Sequence, residues 1–247
     1  MIRYTLATRL ARHLRALGRP LPPRALGEAL RLQGPVEPVL LPLLDGRFWH
    51  REEVGLWEWV YPFPPEKVVV LDLETTGLAP SEAEIIEVGL VVLEGGKKRT
   101  LSRLVRPHRP PSPFITRLTG LSWEDLREAP PLEEVIPEVH EALQGGTLVL
   151  HNASFDLSFL GPALRRVGLS WEGPVVDTVV LARRALPGVR RVGLDSLAEV
   201  FDLRPKERHR ALGDALLTLE VLHEVYYMLT AGRPRPLSAL GRGVQQI

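Results

Sequence analysis

The 247-residue chain has no cysteine, which excludes disulfides, thiolate zinc sites and a cysteine nucleophile and suits a reducing compartment. No run of about 18 apolar residues occurs, so no membrane span is expected. The first twenty residues are rich in arginine but carry no continuous apolar segment and no small-residue cleavage site, so no secretory signal is expected either. Lysine is confined to Lys67, Lys97, Lys98 and Lys206, and asparagine occurs once, at Asn152. Together with 23 prolines, this points to a heat-adapted protein or a GC-rich genome. The formal charge of +1 says nothing about partners, because acids and bases balance over the whole chain.

What the chain does have is Val68-Val69-Val70-Leu71-Asp72-Leu73-Glu74-Thr75-Thr76-Gly77-Leu78. The β-branched and aliphatic run reads as a buried strand. Alternation then puts Asp72 and Glu74 on one face, with Leu71 and Leu73 on the other. Two carboxylates side by side repel and are costly to withdraw from water unless a cation lies between them, and such oxygens suit Mg²⁺ or Mn²⁺. A lone Asp-x-Glu is otherwise just an acidic strand end, so partners must come from elsewhere in the chain.

Residues 1–63 read as a separate module. Leu6, Leu10, Leu14 and Leu17 recur at helical spacing, a second helix is predicted from Pro22-Pro23 and a third over 36–44, and two short strands follow at 47–50 and 54–60. Three helices and a hairpin make a winged-helix-like domain, and seven arginines against the single acid Glu28 through residue 34 suit phosphate contacts. Protein docking, or a solvated arginine face, is the alternative. Tyr61-Pro62-Phe63-Pro64-Pro65 is a stiff connector.

Beyond it, strands are predicted at 85–93 and 100–105, joined across Glu94-Gly95-Gly96-Lys97, and a helix capped by Ser122 precedes another over 132–143. A strand over 147–150 then delivers His151-Asn152-Ala153-Ser154-Phe155-Asp156, with Ser154 expected to cap the next helix and Asp156 in its first turn. A third strand ends near Asp177, expected as a helix cap, and helices follow over 194–201 and from His209 to about Met228. The order gives an α/β fold, a mixed sheet with helices on both faces. Residues 64–230 would form this domain, and the Arg- and Gly-containing tail 231–247 is expected to be flexible.

Asp72-Leu73-Glu74-Thr75-Thr76-Gly77-Leu78, His151 to Asp156 and His209-Arg210-Ala211-Leu212-Gly213-Asp214 together resemble the three motifs of the DEDD exonucleases. The likeness is to the histidine branch, which includes the proofreading subunit of bacterial DNA polymerase III. It covers roughly residues 67–230 and excludes the N-terminal module. It implies an RNase H-like fold and a 3′→5′ exonuclease that uses two divalent cations, Mg²⁺ or Mn²⁺, and releases nucleoside 5′-monophosphates from single-stranded or frayed DNA 3′ ends. By the same resemblance Asp72, Glu74, Asp156 and Asp214 are metal ligands and His209 is the general base. Thr75, Thr76, Gly77, Leu78, His151, Asn152 and Phe155 would bind substrate, with Leu78 and Phe155 available to stack on bases or to serve as core. A bacterial cytoplasmic location and a replicative polymerase subunit as partner follow from the likeness too. An RNA 3′-trimming enzyme and a non-catalytic nucleic-acid-binding or polymerase-docking accessory are the alternatives.

Overall fold

The strand that begins at Val68 is the centre of the larger sheet in the computed structural model, which describes residues 2–17, 19, 21–36, 38, 48–51, 56–58, 66–230, 235–240 and 244–247. Packing divides the chain into two units that interleave along the sequence. One contains Met1–Pro64, Leu181–Arg204 and Glu220–Arg235; the other contains Pro65–Val180, Pro205–Leu219 and Pro236–Ile247.

In the second unit, β3 (Val68–Thr75), β4 (Ile85–Glu94) and β5 (Lys97–Leu104) form an antiparallel meander. Gly95 and Gly96 turn the β4–β5 hairpin with φ of 55° and 74°, a conformation that costs glycine little because it has no Cβ. On the other side of β3, β6 (Thr147–Leu150) and then β7 (Glu172–Asp177) pair in parallel. β8 (Val244–Gln246) closes the order β5-β4-β3-β6-β7-β8 by pairing antiparallel to β7. The mixed sheet is therefore as expected; of the tail, residues 231–234 and 241–243 lie outside the described residues. Its last residues pair with the free edge of β7, and the Ile247 and Trp171 backbones exchange hydrogen bonds of 2.9 and 3.0 Å. An unpaired strand edge offers backbone partners to any extended segment in reach, whatever that segment's composition.

Strand alternation sorts the faces. Val69, Leu71 and Leu73 of β3 and Val88, Leu90 and Val92 of β4 join one core cluster with residues of α5 (Leu132–Leu143) and α6 (Ala153–Arg166), among them Val139, Leu143, Phe159, Leu160 and Leu164. Ahead of these lie α3 (Pro113–Thr119) and α4 (Trp123–Leu126), the latter begun by a capping box between Ser122 and Asp125. Residues of the opposite face of β3 and β4, including Asp72, Glu74, Glu87 and Gly89, lie outside that cluster.

In the first unit, α1 (Ile2–Leu17) and α2 (Pro23–Leu30) bury Leu6, Leu10, Leu14, Leu26 and Leu30 together. β1 (Trp49–Arg51) and β2 (Leu56–Glu58) form the expected antiparallel hairpin. Most of the third expected helix, over 36–44, and the connector 61–65 lie outside the described residues. The first helix also packs on α8 (Leu194–Phe201): Thr5 Oγ1 donates to Val200 O at 3.0 Å, and Arg12 Nη2 donates to Phe201 O and Asp202 O at 2.7 and 2.8 Å. These are the orphan carbonyls at a helix C-terminus, where a cation is favoured. Packing thus groups the N-terminal segment with chain far beyond residue 63, a partner that composition alone does not reveal. The remaining helices are α7 (Thr178–Ala185) and α9 (Ala211–Thr230), and no helix of the described residues is long and apolar enough to cross a membrane.

Candidate active site

Asp72 and Glu74 lie towards the carboxyl end of β3, Asp156 is in the first turn of the helix that follows β6, and Asp214 is in the first turn of α9. Ladder pairing between β3 and β6 stops at Val70 and Val149, so the rest of β3 is bonded in the sheet only to β4. Asp156, in the first turn of α6, takes up one of the groups left over: its Oδ1 accepts the Leu73 N–H at 3.2 Å. Asp156 is 3% exposed, so this contact ties the second motif to the strand between Asp72 and Glu74.

Asp72, Glu74 and Asp214 converge: one carboxylate oxygen from each lies within 4.8 Å of the others. At that separation, like charges repel by about 3 kcal/mol per pair in a medium of effective dielectric near 20. Burial first, and neighbouring acids second, favour the protonated forms of Asp72 and Glu74. Withdrawal from water, then Asp156 and Glu74, raise the Asp72 carboxyl well above the carboxylate range, with Arg208 acting in opposition. Burial, then Glu87, push Glu74 up to about 7. Burial is also the largest cause for Asp156, pushed up to about 8 despite its backbone hydrogen bonds. A partly buried, all-oxygen, mutually repelling set of this kind fits a hard divalent cation, which would remove the repulsion.

The second motif is anchored from a neighbouring strand. Ser154 was expected to cap α6, but the helix begins at Ala153 with Asn152 as N-cap, at φ 70°, and Ser154 lies inside the first turn, its Oγ donating to Asn152 Oδ1 at 3.3 Å. Asp177 does the capping instead: Oδ1 accepts from Asn152 N at 3.2 Å and Oδ2 from Ala153 N at 3.1 Å, while Oδ1 also accepts from Val179 N at 2.8 Å. One carboxylate thus caps the starts of two helices, satisfying N–H groups that have no partner within the helix. Beside it Thr178 Oγ1 donates to Leu150 O at 3.1 Å and lies 2.8 Å from His151 Nδ1.

The first motif ends in a turn fixed by Thr76, whose N–H donates to Glu84 O and whose Oγ1 accepts from Glu84 N, both at 2.9 Å. Thr75 Oγ1 donates to Gly77 O at 2.6 Å. Leu78 stands 84% exposed, so of the two roles open to it, core is excluded. Phe155 is partly buried against the core, its ring 5.2 Å from that of Phe159.

The third motif is bound on both sides. Arg208 is ion-paired to Asp214. Arg210 Nε and Nη2 reach the Glu87 carboxylate at 3.0 and 2.8 Å, and the Ala211 N–H donates to the same carboxylate at 3.0 Å. Between the two arginines His209 has φ 57°. It is half-buried and lies outside the converging carboxylate group. Gly89 makes room for this segment: a Cβ there would stand 2.2 Å from Ala211 C and from Leu212 N. Glu87, Arg208 and Arg210 were not singled out in the sequence. The signal was present, since Glu87 is the one charge inside the apolar run Ile85–Leu93.

Against known proteins, the family model described as Exonuclease (RNase_T) matches residues 69–222. The PolC-type DNA polymerase III of Caldanaerobacter subterraneus subsp. tengcongensis is 42% identical over 154 residues, 62% of this chain and 11% of that protein. The 3′-5′ exonuclease DinG of Bacillus subtilis is 36% identical over 167 residues, 65% of this chain and 18% of that protein. The chain therefore spans a small part of the curated relatives it matches. Among solved structures, exonuclease X in complex with 5′ overhanging duplex DNA shares 29% identity at a TM-score of 0.53, over 67% of this chain and 93% of that one. E. coli exonuclease I with a dT13 oligonucleotide shares 15% at a TM-score of 0.57, over 67% of this chain and 42% of that one, a likeness of fold. The mixed sheet flanked by helices is the RNase H-like fold that these exonucleases have.

Proposed function

The chain belongs to the Exonuclease family, and from that membership we propose that it hydrolyses phosphodiester bonds at DNA 3′ ends, releasing nucleoside 5′-monophosphates. One observation carries the reading: oxygens of Asp72, Glu74 and Asp214, contributed by a strand and a helix far apart in sequence, meet within 4.8 Å. With Asp156 held beside them they are the ligands for two divalent cations, Mg²⁺ or Mn²⁺. Bound there, the cations supply an activated water and Lewis-acid stabilisation of the charge that develops at the phosphate.

The chain's own residues do the rest. His209 accepts a proton from the attacking water, a role imidazole fills near neutral pH. Thr75, Thr76 and Gly77 present backbone to the terminal nucleotide, and exposed Leu78 offers an apolar face to its base, which suits any base. Phe155 stacks on the neighbouring base, while His151 and Asn152 hydrogen-bond the strand. DNA as substrate is supported by the relatives, which are polymerase and exonuclease proteins of bacteria, and by the DNA bound to exonuclease X. The setting is then a bacterial cytoplasm, in proofreading with a polymerase subunit or in repair. Residues 1–63 serve as a winged-helix-like module that adds affinity for nucleic acid or partner, and the chemistry belongs to 64–230.

The test uses 5′-labelled single-stranded DNA, a mismatched primer duplex and RNA, each with Mg²⁺ and with EDTA. Stepwise shortening of the DNAs from the 3′ end, stopped by EDTA and absent in Asp72→Ala, is expected. Shortening of RNA alone would reassign the substrate, and no shortening of any would overturn the reading.

A further inference from the structure

Glu87 is 1% exposed, yet it lies directly across the β3–β4 ladder from Glu74, whose carboxyl it pushes up. Burying an acid beside a cluster already crowded with acids is unfavourable unless the group is committed elsewhere. Both of its oxygens are committed. Oε1 accepts from Arg210 Nη2, and Oε2 accepts from Arg210 Nε and from the Ala211 N–H. The pairing is bidentate, the geometry in which a guanidinium fixes direction as well as distance. Glu87 is not among the acids whose oxygens converge, and with both oxygens taken by Arg210 and Ala211 it has none left to offer a cation.

The bond acts on one short segment. Arg210 is the one residue between His209 and the helix that carries Asp214, and Ala211 is the first residue of that helix. His209 has φ 57°, a backbone region that non-glycine residues enter only when the surroundings hold them there. Two positions along β4 on the same face, Gly89 leaves the space that Ala211 and Leu212 fill. β4 therefore receives the third motif twice, once by an empty Cβ position and once by a charge clamp.

We propose that Glu87 and Arg210 act as positioning residues: their clamp sets the left-handed turn at His209 and the register of Asp214 on the acids of β3. This rests on the exonuclease reading above. The clamp works through His209 and Asp214 and touches no substrate. As stabilisation alone the pair contributes little, because a guanidinium that stays partly in water gains only modestly from an ion pair.

The test compares the full-length protein with Glu87→Gln, Arg210→Gln, Arg210→Lys and the double variant Glu87→Gln/Arg210→Gln. Each is measured by melting temperature, Mn²⁺ titration, and kcat and KM on a single-stranded oligonucleotide. Both Gln variants are expected to lose about 100-fold in kcat, the cost of an ångström-scale misplacement of reacting groups, with KM little changed and Mn²⁺ bound more weakly. Arg210→Lys is expected not to rescue, since an ammonium lacks the fork, and the double variant should be no slower than the slower single one. Near-native kcat and Mn²⁺ affinity in the folded Gln variants would overturn the proposal. So would a loss confined to KM or to melting temperature, or losses that multiply in the double variant. Arg210 has a side chain 38% exposed, so its substitutions keep the test decisive should Glu87→Gln fail to fold. A wild-type protein that shortens no DNA would overturn the exonuclease reading, and the clamp with it.

Discussion

Without metal, the protein should lose stability as the solution passes from acid to neutral, the reverse of what salt-bridged carboxylates do. Glu74 holds its proton up to about 7 in the folded chain against 4.5 ordinarily. Between those values the unfolded chain has released the proton and the folded chain has not, so folding binds protons and stability falls as pH rises. The contribution is whole below about pH 4.5 and is gone once the pH has passed through about 7. The difference is worth about 3 kcal/mol at 1.36 kcal/mol per pH unit. Asp156, carried from 3.8 to about 8, acts in the same direction, but the acids repel one another, so their contributions do not simply add. For a protein of this size each kcal/mol moves the melting temperature by about 2–4 °C, and about 2.5 kcal/mol of the contribution is lost between pH 5 and pH 8, so Glu74 alone implies a fall of about 5–10 °C over that range in EDTA. Melting curves across that range, with EDTA and with Mg²⁺ or Mn²⁺, read the effect. Glu74→Gln should flatten the EDTA profile, and the metal should flatten the wild-type one because it binds the deprotonated acids. A Glu74→Gln profile as steep as wild type would refute the reasoning.

Three further outcomes are expected. His209→Ala should lower kcat by about 10²- to 10⁴-fold, the range for loss of a general base, while Mn²⁺ affinity stays close to wild type; equal losses in both would instead make His209 a ligand. Gly89→Ala places a Cβ 2.2 Å from the Ala211 and Leu212 backbone, so thermal unfolding should show about 1–3 kcal/mol of destabilisation together with slower hydrolysis. Arg12→Ala removes two charged hydrogen bonds from the C-terminal carbonyls of α8 and should cost about 1.5–3 kcal/mol in denaturant unfolding; an unchanged midpoint would contradict the packing of α1 on that helix.

The part of the site that follows from local rules was legible in the sequence. Alternation placed Asp72 opposite Leu73, and the apolar runs at 68–73 and 147–150 became adjacent strands of the sheet. What depends on partners distant in sequence was not legible. Ser154 satisfied every local rule for a cap, yet Asp177, on a different strand, supplies the acceptors. Glu87 interrupts an apolar strand, but nothing nearby names Arg210, which lies 123 residues further on. Nothing in the tail's arginines and glycines signals the pairing of Val244–Gln246 with β7, which depends on a strand edge far away in sequence. Arg12 likewise looked like one of several exposed basic residues, and its carbonyl partners come from the opposite end of the chain.

That acids from separate elements form one cation site is tested most directly by Mn²⁺ titration of the full chain at pH 8, followed by electron paramagnetic resonance, for wild type, Asp72→Asn and Asp214→Asn. Wild type is expected to bind the ion, and each substitution, one on β3 and one on α9, to weaken that binding while the protein remains folded. Binding unchanged in both variants would mean that the strand and the helix do not share a site.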